Sequence, residues 1–195
     1  MRVFLASHNV GKARQLEALL EGALEVMTLG PGIALPAETG TTYRENALLK
    51  AEAIVRATGL AALSDDSGLE VQVLDGRPGI HSARFAGDDA SDRENNDKLL
   101  KLMEHVPDEG REAEFVSVLC LLAPGAGPLF AEGRVRGRIL REPRGSGGFG
   151  YDPLFYHPET GRTFAELTPE EKNRHSHRGR AARELLALLG RRKVE

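Results

Sequence analysis

A single cysteine, Cys120, stands in 195 residues, so no disulfide can close within the chain. It lies in the apolar run Phe115 to Leu122 and is expected to pack as a small core side chain. Tryptophan is absent and tyrosine occurs three times, which leaves little aromatic surface for stacking single-stranded nucleic acid. Binding of a nucleic-acid polymer therefore ranks below binding of a small ligand. No apolar stretch approaches the ~20 residues that cross a bilayer. The opening residues, Met1 to Ser7, lead directly into a strand pattern without the layout of a secretory signal. These absences point to a cytoplasmic protein that does not engage membranes.

What is present fits one soluble globular domain over residues 1–195: 41% apolar, 28% charged, no internal repeat and no long linker. The net charge of -3 is unevenly spread. Residues 134–193 hold 14 Lys and Arg against 7 Asp and Glu, a local +7 that leaves the rest of the chain at -10. A basic C-terminal portion facing an acidic centre suits an anionic ligand bound through a metal ion.

The acidic centre is Leu63-Ser-Asp-Asp-Ser-Gly-Leu69. The apolar run Leu60 to Leu63 reads as a short buried strand that delivers Asp65 and Asp66 into a turn closed by Ser67 and Gly68. Alternate residues of a strand face opposite ways, so the two carboxylates meet only if the backbone bends, which Ser-Gly permits. Close carboxylates share a proton or bind a cation; a solvated Asp-rich turn is the alternative.

Upstream, Arg2 to Ala6 reads as a strand and Lys12 to Leu20 as an amphipathic helix, joined by Ser7-His8-Asn9-Val10-Gly11-Lys12. A strand, a polar loop with Gly and Lys, then a helix start presents free N–H groups and a cation to phosphate. It lacks the glycine spacing of a Walker A loop, and an ordinary turn capped by Asn9 is the competing reading. Leu24 to Leu29 reads as a second strand, and Gly30 to Gly40 as a loop broken by Pro31 and Pro36 and carrying Glu38. Thr42 to Glu45 has capping-box spacing and opens a helix that ends at Gly59. Asn46 and Lys50, four apart, share one of its faces.

Downstream, Leu69 to Leu74 alternates as a strand, Ser91 to Glu94 caps another helix, and Ala113 to Leu122 with Leu129 to Leu140 reads as an antiparallel hairpin. The segment from Pro143 to Pro153 holds Gly145, Gly147, Gly148 and Gly150, then Tyr151 and Asp152. So many glycines make either a flexible linker or a loop held closely against something. Phe149, Tyr151 and Asp152 suit holding a flat ring and reading its edge. Thr168 and Pro169 start a short helix, followed by His175-Ser176-His177-Arg178 and a last helix packed through Leu185 to Leu189. Two histidines two apart suggest zinc, but no further Cys or His lies at a finger-like spacing. His177 and Arg178, at a helix start, could instead hold an anion or a base edge.

Taken in order, SHNVGK, ETGTTYRENALLKA, SDDSGLEV, GRPGIHSARFAG, PRGSGGFGYDPLF and AELTPEEKNRHSHRGRA resemble the inosine triphosphate pyrophosphatase family, the non-canonical purine NTP pyrophosphatases, from Ser7 to Ala181. The resemblance implies an α/β fold with a long central mixed sheet flanked by helices, and two lobes with the active cleft between them. It implies Mg2+-dependent hydrolysis of ITP, dITP and XTP between the α and β phosphates, a house-cleaning role, and a homodimer. By the same resemblance Asp66 is the catalytic carboxylate and a metal ligand, supported by Asp65 and Glu38. Ser7, His8, Asn9, Val10, Gly11 and Lys12, with Lys50 and Ser67, take the phosphates. Phe149, Gly150, Tyr151 and Asp152 take the purine, over which Lys172, His177 and Arg178 close. Ser7-His8 departs from the Thr-Gly or Ser-Asn of many relatives, and Ala37 stands where a second acid often precedes Thr39-Gly40. Two other readings are a non-catalytic nucleotide sensor on the same scaffold and a pyrophosphatase with broader base choice. A Nudix-type hydrolase is disfavoured because its Glu-rich metal helix is missing.

Overall fold

The computed structural model describes residues 1–29 and 32–192, so the expected break at Pro31 lies outside the described residues. The described elements run β1 (Arg2–Leu5), α1 (Val10–Leu20), β2 (Glu25–Met27), α2 (Tyr43–Thr58), β3 (Ala62–Val71), α3 (Asp92–Leu102), β4 (Glu112–Leu122), β5 (Leu129–Ile139), β6 (Phe155–His157), β7 (Arg162–Thr163), α4 (Pro169–His175) and α5 (His177–Arg192). The strands form a mixed sheet in the order β2-β1-β3-β4-β5-β6-β7, the α/β architecture expected. The chain divides into two compact units, residues 1–66, 117–133 and 177–195, and residues 67–116 and 134–176. No helix among the described residues is long and apolar enough to cross a membrane.

In the first unit β1 runs parallel to β2 and to β3, with Phe4 opposite Met27 and Ala62. Parallel neighbours need a crossover, and α1 and α2 supply it. α2 begins where Thr42 and Glu45 close a reciprocal capping box, and it ends where Gly59, at φ +67°, donates its N–H to the Val55 carbonyl. Leu16 and Leu20 of α1 and Ala181 and Leu185 of α5 pack with Val3, Leu5, Leu63 and Leu119 of the strands. Complete burial of each large side chain contributes ~1.5–3 kcal/mol. Cys120 packs in the interior as expected, and burial pushes its thiol up to about 12.

The second unit has its own core, in which Phe115, Phe155 and Phe164 meet at ring-centroid distances of 4.4, 5.0 and 5.9 Å. The buried Arg111 guanidinium donates to the carbonyls of Ile139, Met103 and Leu140, which ties the start of β4 to the end of β5. The expected turn at Asp65 to Gly68 does not form. β3 passes through it without a break and gives way at Gln72 to Leu74 to a 3-10 turn, so the strand expected over 69–74 is not separate: residues 69–71 are the end of β3 and residues 72–74 are not strand. Each carboxylate finds a cation on its own side of the strand, Lys12 and Arg178 for Asp65 and Lys50 for Asp66, so the two do not have to meet and no bend is needed.

Candidate active site

β3 presents Asp65 and Asp66 in consecutive, buried positions. Because they alternate across the strand, they belong to two different clusters. Asp65 Oδ1 accepts from Ser117 Oγ at 2.6 Å, while Oδ2 lies 3.0 Å from Lys12 Nζ and 3.2 Å from Arg178 Nε. Burial opposes its ionisation, yet Lys12, Arg178 and the Ser117 hydroxyl hold the Asp65 carboxyl well below the usual range. Asp65 is thus the counter-ion of two cations. Arg178 needs one, since it sits in the first turn of α5, where the helix dipole disfavours positive charge and no acid is present.

Asp66 faces α2. Lys50 Nζ donates to Asp66 Oδ1 at 2.8 Å, to Glu38 Oε1 at 2.6 Å and to the Asp65 carbonyl at 2.9 Å. These three bonds use all three protons of the ammonium. Lys50, expected on a phosphate, is therefore placed as the bridge that holds two mutually repelling carboxylates together. Desolvation lowers the affinity of Lys50 for its proton, but Asp66 and Glu38 outweigh it and raise the pKa. For Asp66 the balance is reversed: burial pushes it up to about 6, Glu38 adds to the rise, and Lys50 only partly offsets it. Asp66 Oδ2 is buried with no hydrogen-bond partner among the described residues. The loop carrying Glu38 is pinned where Asn46 Oδ1 accepts from Gly40 N at 2.8 Å, and a Cβ on Gly40 would come within 2.7 Å of that oxygen.

The loop between β1 and α1 behaves locally as a capped helix start. Ser7 Oγ accepts from Asn9 N at 3.1 Å, and Asn9 Oδ1 accepts from Lys12 N at 2.9 Å. His8 and Val10 are exposed, Gly11 is half-buried, and no acid occupies the first turn of α1. Asn9 capping and an anion-accepting helix start are compatible, because the cap satisfies only the third of the first-turn N–H groups.

In the second unit the glycine-rich segment is a held loop. Phe149 N donates to Asp152 Oδ2 at 2.8 Å, Gly150 N to Asp92 Oδ2 at 2.6 Å, and Asn96 Nδ2 to the Gly150 carbonyl at 2.9 Å. Gly148 has φ +73°, and a Cβ there would collide with the Asp152 carboxylate. Lys172 Nζ ion-pairs with Asp152 and lies 4.5 Å from the centroid of the Phe149 ring. Tyr151 is a core residue whose hydroxyl donates to the Ser82 carbonyl at 2.9 Å, so its ring is not displayed with that of Phe149. His177 is buried at the start of α5, and Ser67 is half-buried after Asp66. Arg178, grouped above with Lys172 and His177 as a base contact, is instead bonded to Asp65 and, at 3.4 Å, to Gln15.

The expected residues thus gather into two constellations, one around Asp65 and Asp66 and one around Phe149 and Asp152. The sequence of the Ham1 family matches residues 3–188. The chain belongs to the Ham1 family. A dITP/XTP pyrophosphatase of Thermus thermophilus is 54% identical over 188 residues, covering 95% of this chain and 90% of the relative. The dITP/XTP pyrophosphatase of Escherichia coli K12 is 50% identical over 192 residues, covering 96% and 98%. Among solved structures, a HAM1 protein from Coxiella burnetii superposes with a TM-score of 0.88 at 41% identity, covering 98% of this chain and 99% of that one. The resemblance read from the ordered motifs is therefore borne out. Ser117, Gln15, Asp92 and Asn96 belong to these constellations without being part of any motif read from the sequence. Only Ser117 carried a signal, as a polar residue in the otherwise apolar stretch from Phe115 to Leu122.

Proposed function

We propose that this Ham1-family chain hydrolyses the non-canonical purine nucleoside triphosphates ITP, dITP and XTP to the nucleoside monophosphate and pyrophosphate, clearing deaminated purines from the nucleotide pool. The observation that carries the chemistry is the buried Asp66 carboxylate, raised toward neutrality and with Oδ2 unengaged beside Glu38. The oxygen of a water attacks the α-phosphorus, the bond from that phosphorus to the bridging oxygen breaks, and pyrophosphate leaves with that oxygen. Asp66 Oδ2 receives the proton, a role suited to a carboxylate whose pKa lies near the working pH.

The Glu38 and Asp66 carboxylates would together hold Mg2+, which prefers hard oxygen ligands and is held by one or two carboxylates together with substrate phosphates. The contribution of a bound ion is to neutralise phosphate charge as the bond breaks. Asp65, read from the resemblance as a third metal ligand, is better assigned to Lys12 and Arg178, since both of its oxygens already accept from protein donors. The start of α1 with Lys12 is assigned to the triphosphate. Phe149 is assigned to the face of the base, and Lys172 to its edge.

A donor at Lys172 favours the 6-keto acceptor of hypoxanthine and xanthine over the 6-amino group of adenine, because two donors cannot pair. Lys172→Ala is expected to raise KM for ITP by about 10–100-fold, the loss of one charge-assisted hydrogen bond, with a much smaller change in Mg2+ requirement. Steady-state kinetics at several Mg2+ concentrations measure both, and an unaltered KM refutes the assignment. The whole reading is tested by offering the purified chain ITP, XTP, dITP, ATP and GTP with Mg2+ and measuring pyrophosphate. Turnover of the first three well above the last two is expected; preference for ATP, or binding without turnover, overturns it. A homodimer in the cytoplasm completes the reading, and light scattering in solution tests the dimer.

A further inference from the structure

The second unit holds a side-chain cluster that the hydrolytic reading does not use. His157 ends β6, Glu159 lies in the turn to β7, and His175 ends α4; one donor atom of each lies within 4.8 Å of the others. Glu159 Oε2 is 3.9 Å from His157 Nε2 and 3.9 Å from His175 Nδ1, and the two imidazole rings are 5.4 Å apart. We propose that His157 Nε2, His175 Nδ1 and the Glu159 carboxylate bind one divalent transition-metal ion of the zinc class, completed by water.

Three features of this chain build the site. The tautomer of His157 is set by Thr160, whose hydroxyl donates to the His157 carbonyl at 3.2 Å and so accepts from His157 Nδ1 at 3.3 Å. With the proton on Nδ1, the lone pair of Nε2 is turned toward Glu159, the outer-shell arrangement of metal-binding histidines. The spacing of hairpin and helix is fixed by a second rung. Arg162, paired with His157 across the hairpin, forks onto Glu171 at 2.6 and 3.2 Å, and Glu171 lies four residues before His175 on the same face of α4. The exposed Glu159 side chain, on a turn, supplies the adjustable ligand. Donors on a tetrahedral zinc lie about 3.3 Å apart, so the three donor atoms, within 4.8 Å of one another here, must draw together, a movement that the exposed Glu159 and the half-buried His175 side chains can supply by rotation. Two imidazoles and one carboxylate select zinc-like ions over Mg2+, which avoids nitrogen ligands. The sequence pairs His175 with His177, whereas the fold pairs it with His157, 18 residues upstream.

The bound ion would clasp the β6–β7 turn to the end of α4, one turn beyond Lys172. The test titrates the chelator-stripped full chain, in excess Mg2+ and without nucleotide, with Zn2+ by calorimetry and with Co2+ by visible absorption. One equivalent of each metal, d–d bands for Co2+, and a melting temperature raised by about 5 °C at Zn2+ 100-fold above Kd are expected. His175→Ala and Glu159→Gln, both at accessible positions, should each weaken binding at least about tenfold. Thr160→Val, which removes only the tautomer-setting hydroxyl, should weaken it by a similar factor. Absence of stoichiometric binding, or equal affinity in wild type and His175→Ala, overturns the proposal. Because the readout is metal binding without nucleotide, its outcome is independent of the substrate panel.

Discussion

Asp66→Asn is expected to lower kcat for ITP about a thousandfold while leaving the fold intact and the affinity for nucleotide within a few-fold. The size follows from losing two roles at one atom pair. The amide cannot take a proton at the position of Oδ2, which in a general base is worth 10²–10⁴-fold, and it is a poorer ligand for a hard cation. The fold should survive because Asn preserves the volume and an acceptor for Lys50, which keeps Glu38 and the Asp65 carbonyl. Removing the charge also relieves its repulsion with Glu38, one of the causes of the raised Asp66 pKa. The measurement is pyrophosphate release at saturating ITP, beside circular dichroism and calorimetric nucleotide binding. Turnover within tenfold of wild type would remove Asp66 from the chemistry, and a collapsed fold would show that its main task is structural.

What could be read in the sequence is what local physics decides. The capping box at Thr42, the Gly59 stop and the Asn9 cap are short-range hydrogen-bond patterns, and the fold realises each of them. The sequence leaves the loop near Phe149 open between a flexible linker and a held loop, and the fold decides for the held one, with Gly148 required where a Cβ would strike Asp152. The route of β3 was not. Ser67 and Gly68 look locally like a bend, but partners from α1, α2, β4 and α5 stabilise the unbroken strand, and none of them is near in sequence. The same non-locality hid the holders of the loop, Asp92 and Asn96 on α3, and the pairing of Arg178 with Asp65, 113 residues apart. Motifs single out the acidic pair, while the partition of its two carboxylates between cations depends on which cation reaches which oxygen.

That partition gives Asp65→Asn a different phenotype from Asp66→Asn. Asp65 is the shared anion for Lys12 and Arg178, both largely buried, and its removal leaves two cations facing each other. Breaking a buried ion pair from one side costs about 3–5 kcal/mol, which for a chain of this size lowers the melting temperature by roughly 10 °C. Asn retains an acceptor for the Ser117 hydroxyl, so the loss reports charge rather than packing. The cycle with Arg178→Ala separates the two: with the arginine gone, Asp65→Asn should cost at least about 1 kcal/mol less than in wild type. The pH dependence has a definite sign. A carboxyl held below its unfolded value stabilises the fold fully above that value, about 3.9, and loses the contribution as pH falls through the lower folded value. The stability gap between wild type and Asp65→Asn should therefore stay constant from neutral pH down to about pH 5 and close only in stronger acid. A gap below about 1 kcal/mol at pH 7, or one that closes near pH 6, would place the anion that holds Lys12 and Arg178 elsewhere.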